Sequence, residues 1–86
     1  MKYEIYRYDL WGNKNDGYEV NDVMSTGVFV DVRDVDSDIT ILIKVRRALD
    51  KAGRKYPHHG NWALEGLEDL LFIEIDGVPV CALRTV

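Results

Sequence analysis

The run Trp11-Gly12-Asn13-Lys14-Asn15-Asp16-Gly17-Tyr18 sets aromatic side chains on either side of amides, a carboxylate and two glycines. Aromatic rings stack on planar ligands and Asn and Asp make directional hydrogen bonds, so Trp11, Asn13, Asp16 and Tyr18 are candidate ligand contacts. The same residues also suit a plain hairpin, with Asn and Asp bonding their own backbone and Trp11 covering one end of a core. A second chemistry lies between Lys44 and Lys55. There Lys44, Arg46, Arg47, Lys51, Arg54 and Lys55 stand against the single acid Asp50, so the segment carries +5 in a chain whose net charge is -4, and the remainder carries -9. Lys44, Arg47 and Lys51 recur at helical spacing and would form one cationic face able to hold phosphates. A solvated face that keeps a helix soluble is the plainer account of the same residues.

Other reactive residue types form no constellation. His58 and His59 are adjacent, and adjacent side chains in extended structure point to opposite faces, so the pair suits a surface turn better than a metal site. Asp34, Asp36 and Asp38 fail the calcium-loop pattern, because Ile39 and Val45 stand where glycine and glutamate are required. These acids instead suit the positive end of a following helix. Ser25 and Ser37 lie outside any nucleophile elbow, and Cys81 sits in a predicted strand with no assignable base. No catalytic residue, metal ligand or cofactor is therefore assigned.

The elements that must position these residues follow from pattern. Residues 2–10 mix Tyr3, Ile5, Tyr6, Tyr8 and Leu10 with charges and predict a half-buried strand. Trp11 to Gly17 predicts a turn, and Tyr18 to Asn21 the return strand. Extended structure resumes at Val28 to Val32 after a break at Ser25-Thr26-Gly27. Residues 39–45 fit either period. Alternation would place Ile39, Ile41, Ile43 and Val45 on one strand face, but a helical window gathers Ile41, Leu42, Val45, Ala48, Leu49 and Ala52 into one arc. With Ser37 or Asp38 as cap and Gly53 as a left-handed stop, a helix over about 38–52 is expected. After the Tyr56-Pro57 break, Asn61 to Glu65 predicts a short strand. Leu70 to Ile75 and Val78 to Arg84 predict a hairpin across Asp76-Gly77, with Pro79 on an edge strand because it has no amide hydrogen.

The expected architecture is α+β: a single domain over 1–86, in the order β-β-α-β-β-β, with a curved antiparallel sheet packed on one amphipathic helix. A length of 86 residues leaves room for one core, and a single cysteine excludes an internal disulfide. A reducing, cytoplasmic setting is expected, and no apolar run approaches the ~20 residues that span a bilayer.

The runs Trp11-Gly12-Asn13 and Asp16-Gly17-Tyr18-Glu19-Val20-Asn21-Asp22, with the closing Gly77-Val78-Pro79-Val80-Cys81-Ala82-Leu83-Arg84, resemble a group of small bacteriophage- and prophage-encoded proteins. That resemblance implies an accessory factor in the host cytoplasm and no particular reaction. The expected function is a non-enzymatic binding protein, acting on a host protein or a small anionic ligand such as a nucleotide. Its candidate contacts are Trp11, Asn13, Asp16, Tyr18, Lys44, Arg47 and Lys51. The alternatives are a nucleic-acid-binding module using residues 44–55, which the acidic remainder opposes, and a structural assembly protein. Exposed sheet edges favour a homo-oligomer.

Overall fold

The computed structural model describes residues 1–13, 15–54, 60–67 and 70–86. Its elements are β1 (Lys2–Asn13), β2 (Gly17–Asp31), α1 (Asp38–Lys51), β3 (Trp62–Leu67), β4 (Leu70–Ile75) and β5 (Val78–Thr85). The strands form one antiparallel sheet in the order β2-β1-β5-β4-β3. The expected α+β order is thus the observed one, with a β1–β2 hairpin and a β3–β4–β5 meander joined by the helix. His58, His59 and the Tyr56-Pro57 break lie outside the described residues.

Residues 39–45 are helical because that period buries the right side chains. Ile41, Val45 and Leu49, spaced four apart, are buried, whereas the strand pattern would also have hidden Ile39 and Ile43, which are 70% and 41% exposed. The Ser37 hydroxyl caps the start by accepting from the Thr40 amide at 3.3 Å. At the other end Gly53 has φ +74°; its amide donates to Asp50 at 3.0 Å, and Arg54 donates to Leu49 at 2.9 Å. This paired closure satisfies carbonyls that the last turn would otherwise leave open. The helix covers one sheet face, where Ile5, Val30, Ile73, Cys81 and Leu83 meet Ile41, Val45 and Leu49 in a single core.

Three expectations need correction. The strand predicted for 2–10 continues to Asn13, so Trp11, Gly12 and Asn13 are strand residues paired with Glu19, Tyr18 and Gly17, and the turn is confined to the residues between Asn13 and Gly17. Gly12 makes this extension sterically tolerable: at φ +110°, a Cβ there would stand 2.2 Å from the Gly17 carbonyl oxygen. The break at Ser25-Thr26-Gly27 is a bulge inside continuous β2, since Ile5 pairs Val28 while Tyr6 pairs Ser25. The buried Thr26 hydroxyl holds it, donating to the Ile5 carbonyl at 2.6 Å and accepting from the Val28 amide at 3.1 Å. Finally, Pro79 lies on β5, an interior strand. Its missing amide is accommodated because the β1 pairing of β5 runs only from Thr85 to Cys81, and a register shift between Ile73 and Glu74 falls beside Pro79.

Beyond Arg7, then, β1 pairs with β2 alone, and the two strands leave the sheet as a two-stranded arm. Gly12→Ala should destabilise this arm by about 1–3 kcal/mol, from the backbone clash and the unfavourable φ. Hydrogen exchange should quicken at the amides of residues 11–18 while the core amides of Ile73 and Leu83 keep their protection.

Candidate functional site

The helix leaves the opposite sheet face open. Strand register places Tyr6, Ala82 and Phe72 in a row across β1, β5 and β4, and Glu4, Arg84 and Leu70 in the next row. Alternation along β1 adds Tyr8 to the same face, and its β2 partner is Val23. These strands frame a cavity of about 540 Å³ lined by Tyr8, Val23, Leu70, Phe72, Ala82, Arg84 and Thr85.

The cavity is aromatic on its walls and cationic at its rim. The Tyr8 and Phe72 rings are nearly parallel, with 12° between their planes and 6.4 Å between centroids. Ala82 lies between the aromatic strands and is only 3% exposed although no helix covers this face, so its ring-bearing neighbours close over it. Arg84, two residues along β5, is exposed and holds its guanidinium 5.4 Å from the centre of the Tyr6 ring. The Glu4 carboxylate across from it accepts from the Tyr6 hydroxyl at 3.3 Å and from the Ser25 hydroxyl. Burial pushes the Tyr8 phenol above its ordinary value, with a further push from Cys81, so at neutral pH Tyr8 is a neutral hydrogen-bonding group. Rings that can take a planar group and a cation that can take an anion thus stand on one side of the sheet.

The residues singled out from sequence occupy other places. Trp11 is 64% exposed on the arm and Tyr18 is 41% exposed near its tip. Tyr18 helps line a smaller cavity of about 410 Å³ shared with the Asp76–Pro79 turn. Asn13 and Asp16 serve the turn itself: the Asn13 side chain accepts from the amides of Asn15 and Asp16, both at 2.9 Å, and donates to the Asp16 carboxylate at 3.0 Å. Arg47 and Lys51 are exposed on α1. No hydrogen bond or ion pair among the described residues joins residues 11–18 to α1.

Much of the basic segment is used within the fold. Lys44 reaches the Asp36 carboxylate at 2.6 Å and the Asp31 carbonyl at 3.1 Å. Arg54 donates to the Thr26 carbonyl at 3.0 Å. Arg46 lies 5.2 Å from the centre of the Trp62 ring, and the Nε of Arg46 and Nε1 of Trp62 are buried without a hydrogen-bond partner among the described residues. Arg47 and Lys51 are thereby the exposed cations on α1, and the exposed Arg54 is tied to the Thr26 carbonyl, which narrows the footprint open to a phosphate backbone.

Asp36 is the acid that the 34–38 run turns to structural use. Its carboxyl is held below the ordinary value of 3.8, first by the Arg33 backbone amide and then by Lys44. A lowered folded value means that this contribution is fully present above the ordinary carboxylate value and is lost as pH falls through the lower, folded one. Melting temperatures followed from about pH 5 to about pH 2 should therefore show an acid-dependent loss that Asp36→Asn reduces.

Tyr8, Phe72, Ala82 and Arg84 line the cavity without having been singled out from sequence. Their signal was the two-residue alternation of Tyr6 and Tyr8, of Leu70 and Phe72, and of Ala82 and Arg84, which marks a second face lined with rings and one cation. Among the described residues no helix is long and apolar enough to cross a membrane, and no group of three or more His, Cys, Asp or Glu converges. The chain matches no protein-family model, no curated protein and no solved structure.

Proposed function

We propose that this chain is a non-enzymatic binding protein whose open sheet face takes a small planar anion of the nucleotide class. The observation that carries this reading is the cavity of about 540 Å³ with Tyr8 and Phe72 on its walls and Arg84 at its rim. Its size falls among small-molecule sites, and its lining combines apolar rings with a few polar groups at the edge. The base lies against Tyr8 and Phe72, and the phosphate meets the Arg84 guanidinium. Nucleotide binding is retained from the sequence reading, but its contacts move from Trp11 and the helix face to the sheet. The resemblance of the 11–22 run to phage-encoded proteins supports placing this activity in an accessory factor of the host cytoplasm.

Calorimetric titration with purine and pyrimidine nucleotides and their parent nucleosides tests the proposal. Nucleotides should bind, nucleosides should bind more weakly because they lack the anion, and Arg84→Glu should remove that difference. Absence of binding by every nucleotide, or affinity unchanged in Arg84→Glu, would defeat it.

A further inference from the structure

The arm and the outer face of α1 are two exposed surfaces with opposite character on the same chain. On the arm, strand alternation and register place Trp11 on one face with Asp9, Glu19 and Asp22. All four are exposed, Trp11 at 64%. Alternation assigns this face to the side of the sheet on which Ile5 meets α1, and its side chains remain exposed there. Asp9 and Asp22 are directly opposite one another, a like-charge pairing in which Asp9 accepts from the Asn21 side chain at 3.0 Å and Asp22 from the Val23 amide at 2.8 Å. On α1, Ile39, Ile43 and Arg47 follow one another at four-residue spacing, with Lys51 at the next step. Ile39 and Ile43 are 70% and 41% exposed, which is unusual for large apolar side chains in adjacent turns of one helix.

We propose that the Trp11 face of the arm docks on the outer face of α1 in a second copy of this chain, and that the contact is reciprocal. Charge complementarity selects the partner. The arm face gathers Asp9, Glu19 and Asp22 around one indole with Arg7 at its base, and the helix row is apolar at one end and carries Arg47 and Lys51 at the other, with Asp50 beside them. Trp11 packs on Ile43 and Ile39, Arg47 lies against the indole and the Glu19 carboxylate, and Lys51 approaches Asp9 and Asp22. Each copy carries both surfaces, so one two-fold axis uses them twice and closes the assembly as a dimer. The partner's helix then continues over the arm the layer that α1 forms over the sheet. This contact lies on the other side of the sheet from the aromatic cavity, so dimerisation and ligand binding are separable.

Sedimentation equilibrium of the intact chain tests this. At about 50 mM salt the chain should be a dimer, and at about 500 mM salt it should dissociate more readily, because the charged rim is screened. Trp11→Ala should weaken the dimer by about 30-fold. Glu19→Lys and Arg47→Glu should each weaken it by about tenfold or more, and the two together should recover most of the loss. Unchanged circular dichroism, with melting compared at dilutions at which the wild type is itself monomeric, separates loss of docking from loss of fold. A wild-type chain that remains monomeric at low salt, single charge reversals without effect, or a double reversal no better than either single one would overturn the proposal.

Discussion

Leu83→Ala should lower the free energy of unfolding by about 2–5 kcal/mol, the range for truncating a buried leucine. Leu83 is fully buried on β5, opposite Ile5 on β1 and Leu71 on β4, in the core that includes Val45 and Leu49 of α1. Its strand is fixed by ladders on both sides, so the site cannot collapse readily around the lost atoms. A domain of 86 residues is expected to be stable by only about 4–13 kcal/mol, so this one change removes a large share of the total. Denaturant titration should show a lower midpoint with an unchanged slope. A loss below about 1 kcal/mol would contradict the placement of Leu83 at the centre of the core.

Truncating the aromatic walls is the second large effect, and it falls on binding. Tyr8→Ala and Phe72→Ala should each cost about 1–3 kcal/mol of nucleotide affinity, the range for losing one stacking ring. The rings are 6.4 Å apart and nearly parallel, so they act on one ligand and the double variant should lose less than the sum of the two single losses. Tyr8→Phe keeps the ring and removes the hydroxyl; it should retain most of the affinity if stacking is the dominant contact. Both side chains are half-buried, so melting curves of the variants must accompany the titrations. Affinity retained by the double variant in a folded protein would move the ligand away from this face.

Local physics made much of the fold legible. The helix was readable from the spacing of Ile41, Val45 and Leu49 and from its two caps, since all of these act within a few turns of chain. The last hairpin was readable from Asp76-Gly77, and both residues have the positive φ that a two-residue turn demands, 52° and 80°. What escaped depends on distant partners. Ser25-Thr26-Gly27 has the composition of a break, but the Thr26 hydroxyl bonds across to Ile5, twenty-one residues away, and keeps one strand continuous. Pro79 suggested an edge because nothing nearby in sequence reveals that β5 inserts between β1 and β4.

The site was harder for the same reason. Tyr8, Phe72 and Arg84 come from three strands, and only the order β1-β5-β4 brings them to one cavity. Trp11 and the basic run stood out because they are concentrated in sequence. Concentration proved a weaker guide for Lys44, Arg46 and Arg54, whose partners Asp36, Trp62 and Thr26 turn part of the charge to holding the fold. Trp11 and Arg47 keep their exposure, and their opposite surroundings motivate the proposed contact between copies.

Mapping amide and side-chain chemical shifts during titration with a nucleoside monophosphate tests the central claim most directly. The perturbed signals should be those of Tyr8, Phe72, Ala82, Arg84 and Thr85, and those of Arg47 and Lys51 should stay unchanged. Perturbations confined to Trp11 or to the α1 cations, or none at all at saturating nucleotide, would contradict it.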